Sequence, residues 1–393
     1  MPKTVIYIQQ YIKGSGYWPS KKELPRNYFT YGFGARSARE FKKYNPEYNV
    51  ECWRLDSSEK EYSENRIEDV DFKIYPSFGN SRTGIYSIKF IKKILSIKER
   101  AILNVQGIHR PLLYHILLFK KKNILVTAQH HGEFSPFFNI KYKKVLKKIL
   151  SVFYLIFEKL LIKRVDLFFL IDKNHIQYLK KTYKNLKEDK YILQPVGIDT
   201  NYFLPLNKSE AKKMLGLDID KKYLFYLGAY YDFKEVDKLV MIYENVKKKC
   251  PNVQLIAAGG SKEDIYYQDI INCGAIELGI ILNTELYKYY SAADIYVCCS
   301  FRYDYFGGIG IAMLEALACN TPVISRSLEN MPEEERVLCG KTPGNETEMT
   351  EDIIEVLNTL ENYRNTREVV EALYDHSVIQ KNVRICYDKL INN

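Results

Sequence analysis

The sequence has no apolar run long enough to cross a bilayer. Its most continuous one, Ile149 to Phe157, falls well short of the roughly 20 apolar residues that a membrane-spanning helix needs. The apolar stretch Val5 to Ile8 is too short for the core of a signal peptide and is typical of a first strand. These absences predict a cytoplasmic chain, either soluble or peripheral on the cytoplasmic face of a membrane.

Cysteines with metal-ligand spacing are also lacking. The eight cysteines include no C-x-x-C pair and no Cys/His cluster with the spacing of a zinc site, so we expect no metal centre. Free cysteines of this kind are typical of a reducing compartment. The sequence has no repeat at the period of a solenoid or a propeller, which argues against those architectures.

The sequence does contain enough apolar residues for two cores, and it has an excess of positive charge. The 393 residues are 46% hydrophobic, and this length is natural for two domains. The formal net charge of +10 favours an anionic partner: nucleic acid, a membrane surface or phosphate groups. Because the lysines crowd one segment and no nucleic-acid motif is present, we do not expect nucleic acid to be the partner.

Short apolar runs alternate with amphipathic segments along most of the chain. The strand-like runs are Val5–Gln9, Ala101–Val105, Ile124–Thr127, Leu167–Ile171, Tyr191–Gln194, Leu224–Leu227, Gln254–Ala258, Ile295–Cys299 and Pro322–Ile324. Helix-like segments such as Lys234–Lys249, Glu285–Ala292 and Met349–Leu360 lie between them. This alternation predicts parallel sheets with helices on both faces, whose ligands bind beyond the carboxyl ends of the strands.

A segment with both Pro and Gly, Gln194 to Thr200, follows one of these runs and precedes a polar stretch. Such a composition indicates a loop. Because it halves the chain, we interpret it as the joint between two domains. The alternative is an ordinary loop inside one domain.

The most informative stretch runs from Phe306 to Ile324, where a glycine-rich loop leads from a strand into a helix. Glycines at a helix start let a phosphate approach free backbone N–H groups, and the helix dipole favours its negative charge. Glu315, about one turn into the helix, could accept hydrogen bonds from ribose hydroxyls. The alternative is that the glycines only permit tight packing and that Glu315 is a cap or is solvated.

The residues Gly310 to Ile324 resemble the nucleotide-sugar motif of retaining glycosyltransferase family 4, where a glycine loop precedes L-E-A-x-A-x-G-x-P-V-I. Other segments resemble that family's motifs in the same order, well over residues 190–345 and more loosely over 1–190: Gln194–Phe203, Leu227–Asp237, Pro251–Gly260 and Leu278–Asp294. The resemblance implies an α/β chain of the GT-B fold, with two Rossmann-like domains whose parallel sheets face a central cleft. Its parts would be an acceptor-binding domain (1–196), a nucleotide-sugar-binding domain (197–375) and a final helix (376–393) that returns to the first domain.

Membership of that family would make the chain a retaining hexosyltransferase. The resemblance implies a nucleotide-diphosphate sugar as donor, UDP- or GDP-linked, and a glycan or lipid-linked molecule as acceptor. It also implies a role in cell-surface polysaccharide or glycoconjugate synthesis and no tightly bound cofactor.

In the second domain the resemblance assigns Lys234 to the donor diphosphate, where it would stabilise the leaving group and so act in catalysis. Gly308, Gly310, Ile311 and Glu315 would complete the donor site.

Two positions of the donor site depart from the family pattern. Ala229 stands where the family has Arg, so Arg302 is the candidate substitute, against the alternative of a solvated loop arginine. Gly307 stands where the family has its first acidic residue, so Asp304 is the candidate for that role. These departures favour a second hypothesis, a non-catalytic GT-B-fold binding subunit that partners an active transferase.

In the first domain two adjacent histidines follow a strand, in a segment that resembles the family's T-x-H-G motif. His131 is the first candidate for binding the sugar or handling a proton, and His130 is the second. His109 also follows a strand and is an acceptor-side candidate. The alternative is that the histidines are structural residues at a strand end.

Glycines also follow the first strand, where the family has a glycine-rich loop. Gly34 is a candidate on the donor phosphate side and Arg36 on the acceptor side. The alternative is a turn followed by a solvated arginine.

Residues 141–164 interleave lysines with large apolar residues. A basic amphipathic pattern of this kind fits an anionic membrane surface. The alternative is a surface helix with a lysine face over the core.

Overall fold

In the computed structural model the chain divides into two compact units, unit 1 (Met1–Gln194 with Ile379–Asn393) and unit 2 (Pro195–Val378). The structure describes residues 3–13, 22, 25–80, 84–133, 152, 155–183, 186–299, 301–302 and 306–392. Asp304 and residues 141–151 of the basic segment therefore lie outside the described residues. Over the described ranges both units are α/β with mainly parallel sheets, as the alternation of apolar runs predicts.

A sheet that is parallel except at one edge forms the middle of unit 1. Its strands, and those of a separate hairpin, are β1 (Thr4–Tyr11), β2 (Asn49–Asp56), β3 (Ser63–Ile67), β4 (Val70–Pro76), β5 (Phe78–Asn80), β6 (Gly84–Tyr86), β7 (Ala101–Gln106), β8 (Ile124–Gln129), β9 (Leu167–Leu170) and β10 (Tyr191–Leu193). The strand order is β10-β9-β8-β7-β1-β2-β4-β3, and β3 runs antiparallel to β4. The hairpin pairs β5 with β6.

Helices cover both faces of this sheet. They are α1 (Pro25–Thr30), α2 (Phe33–Tyr44), α3 (Ile88–Ser96), α4 (Pro111–Leu118) and α5 (Lys173–Thr182), and residues 155–161 are also helical. Alternate side chains of β1 enter two different cores, Val5 and Tyr7 on one face and Ile6 and Ile8 on the other. Because β1 is buried on both faces, its sequence is a continuous apolar run rather than an alternating one.

Unit 2 contains a six-stranded parallel sheet with helices around it. The strands are β11 (Lys222–Leu227), β12 (Val253–Ala258), β13 (Ile276–Glu277), β14 (Ile295–Val297), β15 (Val323–Ile324) and β16 (Gly340–Lys341), in the order β13-β12-β11-β14-β15-β16. The helices are α6 (Lys208–Met214), α7 (Val236–Lys249), α8 (Tyr267–Asn272), α9 (Leu286–Ala292), α10 (Ile311–Ala318), α11 (Glu333–Cys339), α12 (Glu346–Asn358) and α13 (Thr366–Leu373).

The last helix, α14 (His376–Asn392), completes the core of unit 1. Tyr387 is fully buried, with ring centroids 5.2 Å from Phe41 and 5.9 Å from Phe169. Its hydroxyl accepts a hydrogen bond from Asn104 at 2.9 Å. The functions expected of the two domains, acceptor binding and donor binding, stay predictions.

All the expected strands are present, with ends that differ by a few residues, but the apolar-run criterion missed β2 to β6, β13 and β16. Strand β2 contains Glu51, Arg54 and Asp56, which interrupt its apolar run. Arg54 and Asp56, two residues apart on one face of β2, are 2% and 0% exposed and form an ion pair at 3.0 Å, so these charges are paired where the strand lies in the interior.

Each parallel sheet has a point where the chain reverses its direction of travel along the strand order. In unit 1 this point lies between β1 and β7, and in unit 2 between β11 and β14. The loops that follow the two strands diverge there, which leaves room for a ligand at the carboxyl edge. Functional side chains are therefore expected at the carboxyl edges of the two sheets, beyond β1 and β7 in unit 1 and beyond β11 and β14 in unit 2.

Candidate functional site

At the carboxyl edge of the unit 2 sheet, the loops after β11 and β14 meet through a buried carboxylate. Glu235 Oε2 accepts hydrogen bonds from the backbone N–H groups of Phe301 at 2.7 Å and Arg302 at 3.2 Å. Glu235 is 6% exposed, and its other oxygen lies 2.8 Å from the ammonium group of Lys238. The loop after β14 is therefore tied to the start of α7.

A buried arginine binds the same peptide from its other side. Arg326, 8% exposed, donates a hydrogen bond from Nη1 to the carbonyl oxygen of Phe301 at 2.9 Å. We call Glu235 and Arg326 the Phe301 clamp, because together they bind both polar backbone groups of that residue.

Sequence reasoning missed both residues of the Phe301 clamp. A signal for Glu235 was present, since it occupies the position where the resembled K-G-x-D pattern has glycine. The backbone explains that pattern: Glu235 has φ 53° and ψ 43°, the left-handed conformation that glycine adopts with least cost. A non-glycine residue in that conformation, with a buried functional carboxylate, indicates a site where side-chain contacts outweigh backbone strain.

The glycine-rich loop leads into α10 as the sequence indicates. Gly308 has φ +56°, a conformation that disfavours other residues. Gly310 is the N-cap of α10, and a Cβ built there would have only the Met313 Cε atom, at 3.3 Å, within 4 Å. The N–H groups of Ile311 and the residue after it have no intrahelical acceptor, as in the first turn of any helix. The helix start therefore has backbone N–H groups that no carbonyl of the helix accepts.

Glu315 lies on α10 and is 6% exposed. The hydroxyl of Tyr290 donates a hydrogen bond to Glu315 Oε2 at 2.8 Å. Burial and the neighbouring Glu315 raise the pKa of Tyr290 far above its usual range, so this hydroxyl stays a donor. Glu315 is thus neither a helix cap nor a solvated residue, which removes those two alternatives.

The remaining donor-side candidates lie in the same loops of unit 2. Lys234 ends the short 3-10 turn after β11, partly exposed, with its ammonium group 5.5 Å from the centre of the Phe233 ring. Ala229 follows the end of β11, and its carbonyl accepts a hydrogen bond from the Tyr226 hydroxyl at 3.2 Å. Arg302 is tied through its backbone to Glu235, as described above. Asp304 lies outside the described residues, so its role stays a prediction.

In unit 1, two glutamines position the start of α2 and the loops around it. Gln9 Oε1 accepts a hydrogen bond from the Gly34 N–H at 3.0 Å, and its Nε2 donates to the carbonyl of Tyr31 at 2.9 Å. A Cβ on Gly34 would lie 3.0 Å from both Gln9 Oε1 and Gln106 Cγ. The glycine is therefore needed for close packing of α2 on the sheet, which is a structural reason for Gly34. Arg36 lies in the first turn of α2 and is partly exposed.

His131 lies beside that helix start. Its ring stacks on Phe33 with centroids 4.6 Å apart and an interplanar angle of 18°. Its Nε2 is hydrogen-bonded to Gln106 Oε1, and Gln106 in turn donates to Asn104 Oδ1. Burial lowers the pKa of His131 to about 4, so the ring is neutral at pH 7. With Nε2–H donated to Gln106, the other ring nitrogen is a hydrogen-bond acceptor.

His130 is fully buried and supports the turn that carries His131. Its Nε2 lies 3.0 Å from Glu133 Oε2, and the same carboxylate oxygen accepts the N–H of His131 at 3.0 Å. Burial alone would raise the pKa of Glu133, but the charge and hydrogen bond of His130 hold it well below its usual range. The adjacent histidines thus have different environments, and only His131 is partly exposed.

His109 belongs to a buried group that we call the histidine cluster, formed by His109, His130 and His175. The Nε2 atoms of His109 and His175 lie 2.9 Å apart, and the rings of His130 and His175 have centroids 4.2 Å apart. Burial lowers the pKa of His175 well below its usual value, so His175 is neutral at pH 7.

Glu158 anchors this cluster and was also missed from the sequence. It is 3% exposed and accepts hydrogen bonds from His109 Nδ1 at 2.9 Å, from the Tyr114 hydroxyl at 2.5 Å and from the Tyr183 hydroxyl. The available signal was that Glu158 is the single carboxylate in residues 141–164. A lone acidic residue in an apolar helical stretch is expected to be paired when it is buried.

The described part of that basic segment differs from a lysine face over the core. Val152, Ile156, Phe157 and Leu160 are 50%, 54%, 37% and 69% exposed, whereas Leu155 is 7% exposed. The outer surface of residues 155–161 is therefore largely apolar. Across the described ranges, no helix is long and apolar enough to cross a membrane, and no group of three or more His, Cys, Asp or Glu side chains could hold a metal ion.

Comparison with known proteins gives a family match within unit 2. Residues 207–371 match the family described as "Glycosyl transferases group 1". A D-inositol 3-phosphate glycosyltransferase of Segniliparus rotundus is 28% identical over 147 residues, which is 35% of this chain and 32% of that protein. The alignment thus spans about a third of the length of the relatives it matches.

Solved structures align with nearly the whole chain. A sucrose-phosphate synthase from Thermosynechococcus elongatus covers 99% of both chains with a TM-score of 0.70 and 19% identity. Anabaena HepE in complex with UDP covers 98% of this chain and 100% of its own with a TM-score of 0.65 and 12% identity, and HepE has also been solved with UDP-glucose. The chain therefore has the α/β GT-B fold that the resemblance implies, and its second unit contains the segment that matches a glycosyltransferase family.

Proposed function

We propose that the chain is a glycosyltransferase that moves a sugar from a nucleotide-diphosphate donor to an acceptor hydroxyl. The observation that carries this proposal is the carboxyl edge of the unit 2 sheet, where a glycine-rich loop enters α10 beside the buried Glu315. The match of residues 207–371 to a glycosyltransferase family supports the proposal. Proteins of the same fold that have been solved with UDP or UDP-glucose support the donor class.

In the proposed transfer the bond between the anomeric carbon and the diphosphate oxygen breaks, and the diphosphate leaves with the electron pair. The acceptor oxygen bonds to the anomeric carbon, and the acceptor hydroxyl passes its proton to an oxygen of the departing diphosphate. Lys234 and the N–H groups after Gly310 would stabilise the charge that develops on the diphosphate. Glu315 would accept hydrogen bonds from the ribose, while the Tyr290 hydroxyl holds its carboxylate in place.

The rest of the donor loop has supporting roles in this proposal. Gly308 and Ile311 would line the diphosphate at the start of α10. The Phe301 clamp would hold the start of the loop in one position, which lowers the entropy lost when the donor binds. Arg302 and Asp304 would supply the cation and the carboxylate that Ala229 and Gly307 lack.

On unit 1 we propose that His131 contacts the transferred sugar. Because Nε2 of His131 faces Gln106, its Nδ1 would accept a hydrogen bond from a sugar hydroxyl. His130 would support that turn from the interior through Glu133. The acceptor-side roles of His109 and Arg36, and a donor-side role for Gly34, stay predictions, and the contacts of His109 and Gly34 also fit structural roles.

The finer features of the reaction are proposals that rest on the family resemblance. They are retention of configuration, transfer of a hexose, a UDP- or GDP-linked donor and a glycan or lipid-linked acceptor in cell-surface polysaccharide or glycoconjugate synthesis. A peripheral position on the cytoplasmic face of a membrane, through residues 141–164, is a further proposal. The exposed apolar side chains of Ile156 and Leu160 favour such a contact.

The second candidate function is a non-catalytic GT-B-fold binding subunit, which Ala229 and Gly307 favour. A thermal-shift panel of UDP- and GDP-sugars, followed by an assay of donor hydrolysis without acceptor, separates the two functions. Stabilisation by one nucleotide sugar together with its slow hydrolysis is expected of a transferase. Stabilisation without any turnover, with or without glycan acceptors, is expected of a binding subunit, and no stabilisation by any donor would contradict the proposal.

A further inference from the structure

A second concave site lies on unit 1, away from the side chains assigned to sugar transfer. A pocket of about 420 Å³ is lined by residues of β3, β4 and α3 and by the residue before β3: Tyr62, Glu64, Lys73, Tyr75, Lys89, Lys92, Lys93 and Ser96. We call it the lysine pocket. It contains none of the residues considered above for donor or acceptor binding.

Aromatic packing forms a rigid wall for the lysine pocket. Tyr75 is 1% exposed, and its ring centroid lies 5.3 Å from that of Tyr62, 5.6 Å from that of Trp53 and 5.6 Å from that of Phe90. Phe90 is buried on the inner face of α3, so the three lysines of that helix lie on its outer side. The pocket walls are thus formed by the folded core of unit 1 and need no loop closure.

Two of the four lysines in the pocket are held in place by neighbours. The ammonium group of Lys89 lies 3.8 Å from the centre of the Tyr62 ring, a cation–π contact. Lys73 pairs with Glu51, whose Oε2 also accepts the indole N–H of Trp53 at 2.7 Å. Glu51 therefore neutralises the charge of Lys73.

The remaining charges in the lysine pocket do not balance. Over the described part of the chain, no salt bridge involves Lys89, Lys92 or Lys93. The one carboxylate in the pocket, Glu64, accepts the Tyr62 hydroxyl at 2.5 Å. The ammonium groups of Lys89, Lys92 and Lys93 therefore exceed the charge of Glu64 by two positive charges.

This charge arrangement costs stability in the absence of an anion. Lys89 is three and four residues from Lys92 and Lys93, and like charges at these spacings on one helix repel each other. A bound dianion would remove that repulsion. A phosphate monoester has a charge of about −1.5 to −2 at pH 7, which matches the excess in the pocket.

We propose that the lysine pocket binds a phosphate monoester, carried either by a small molecule or by the head group of a lipid. The ammonium groups of Lys89, Lys92 and Lys93 bind the phosphate oxygens, and the tyrosine rings flank the ester substituent. Ile88 and Leu95, on the same helix, are 63% and 45% exposed, and they would contact the acyl region if the phosphate belongs to a lipid. This binding site is additional to the proposed sugar transfer and needs no nucleotide.

The test uses the full chain without nucleotide and two kinds of probe. The soluble probes are inorganic phosphate and glycerol 3-phosphate, followed by calorimetry at constant ionic strength. The lipid probes are phosphatidylcholine vesicles with phosphatidic acid or, at matched surface charge, with phosphatidylserine. The variant is K89Q/K92Q/K93Q, and the control is K247Q/K248Q/K249Q, which removes the same charge from the last turn of α7.

We expect the wild-type chain and the control to bind at least one phosphate monoester. The affinity of the pocket variant for that probe should be lower by about tenfold or more. A response to soluble phosphate assigns the site to a free ligand, and a response to phosphatidic acid alone assigns it to a lipid. Equal binding of phosphatidylserine and phosphatidic acid, equal binding by the pocket variant, or no binding to any probe overturns the proposal. The pocket variant should show the same thermal shift with nucleotide sugars as the wild-type chain. Loss of phosphate binding in this variant can then be distinguished from loss of the proposed transferase function.

Discussion

The loops at the carboxyl edges of the two sheets are held by different chemistry. In unit 2, the charged side chains of Glu235 and Arg326 bind the backbone of Phe301. In unit 1 the side chains bind one another through histidine rings, as Gln106 binds His131 and Glu158 binds His109. Histidine changes charge near physiological pH, whereas glutamate and arginine stay charged there. The comparison therefore predicts that unit 1 is the acid-sensitive part of the molecule and unit 2 the part that depends on one clamp.

The largest expected effect concerns His131, the partly exposed histidine beside the start of α2. His131→Ala should lower turnover on the order of 10², the lower range for a positioned hydrogen-bonding or proton-handling group. Affinity for the free nucleotide should stay unchanged, because the proposed nucleotide site lies on unit 2. Steady-state kinetics with calorimetry of UDP and GDP measures both quantities.

The control for this variant is His115→Ala on α4, whose ring packs against Tyr86 with centroids 4.2 Å apart and an interplanar angle of 38°. It should leave turnover unchanged. If His130→Ala, in a chain that remains folded, abolishes turnover while His131→Ala does not, then the two histidines must exchange roles.

The next largest effect is expected when Glu235 of the Phe301 clamp is substituted. Glu235→Ala leaves the N–H groups of Phe301 and Arg302 without their charged acceptor, which should cost about 2–3 kcal/mol of unfolding free energy and weaken donor binding. Glu235→Gly loses the same acceptor but relieves the left-handed backbone, worth about 1 kcal/mol, so it should be the more stable of the two.

Chemical denaturation of both variants, with nucleotide calorimetry, measures these effects. Glu355→Ala on α12 is the control, because it removes only the ion pair of an exposed carboxylate with Lys341. Donor affinity that is unchanged in both Glu235 variants would show that the clamp supports only the fold.

The pH prediction compares the two units directly. Unit 1 contains His109, His115, His130, His131 and His175, whereas unit 2 contains only His376. Burial lowers the pKa values of His115 and His131 to about 4, below the usual 6.5 of an unfolded histidine. Between these values the unfolded state binds more protons, so unit 1 should lose roughly 1–3 kcal/mol as pH falls from 6.5 to 4.5.

Tryptophan fluorescence measures this change, because both tryptophans, Trp18 and Trp53, belong to unit 1. The fluorescence transition should shift to lower denaturant concentration with acid, more than hydrogen exchange of the unit 2 strands does. H115Q/H131Q should flatten the shift, and an equal shift in that variant would assign the acid sensitivity to other groups.

A smaller effect is expected for Glu315, the buried carboxylate on α10. Glu315→Gln keeps an acceptor for the Tyr290 hydroxyl but removes the charge toward the ribose, so nucleotide affinity should fall about fivefold to tenfold. Calorimetry with the free nucleotide measures the loss, and Glu348→Gln, near the start of α12, is the matched control. An unchanged affinity would remove Glu315 from the proposed site.

The smallest effect concerns the apolar surface of residues 155–161. I156Q/L160Q removes two exposed apolar side chains, and sedimentation with anionic vesicles should fall severalfold if this surface contacts a membrane. Met241→Gln, 44% exposed on α7, is the control for loss of an exposed apolar group. If the wild-type chain does not sediment with vesicles, residues 141–164 are not a membrane contact.

The candidate residues at the carboxyl edge of each sheet could be predicted from the sequence only where the residues that contact them are close along the chain. In unit 2 the glycine loop, the helix start and Glu315 lie within ten residues of one another, so one motif indicates them all. In unit 1 the residues that hold His131 and His109 come from β7, from residues 155–161 and from α5. No spacing rule connects such distant positions, and therefore Glu158 and His175 were missed while His109, His130 and His131 were found.

The sequence by itself determined the α/β class, because apolar runs of strand length alternate with amphipathic helices, and it located the glycine-rich loop that leads into α10. Only the tertiary structure decided which charges are buried in pairs. Arg54 with Asp56 and Glu235 with the Phe301 backbone look like surface residues in the sequence, because a charge enters the interior only when folding brings it a partner. The partner of Glu235 is the backbone of Phe301, which is distant along the chain and comes into contact with Glu235 only in the folded structure.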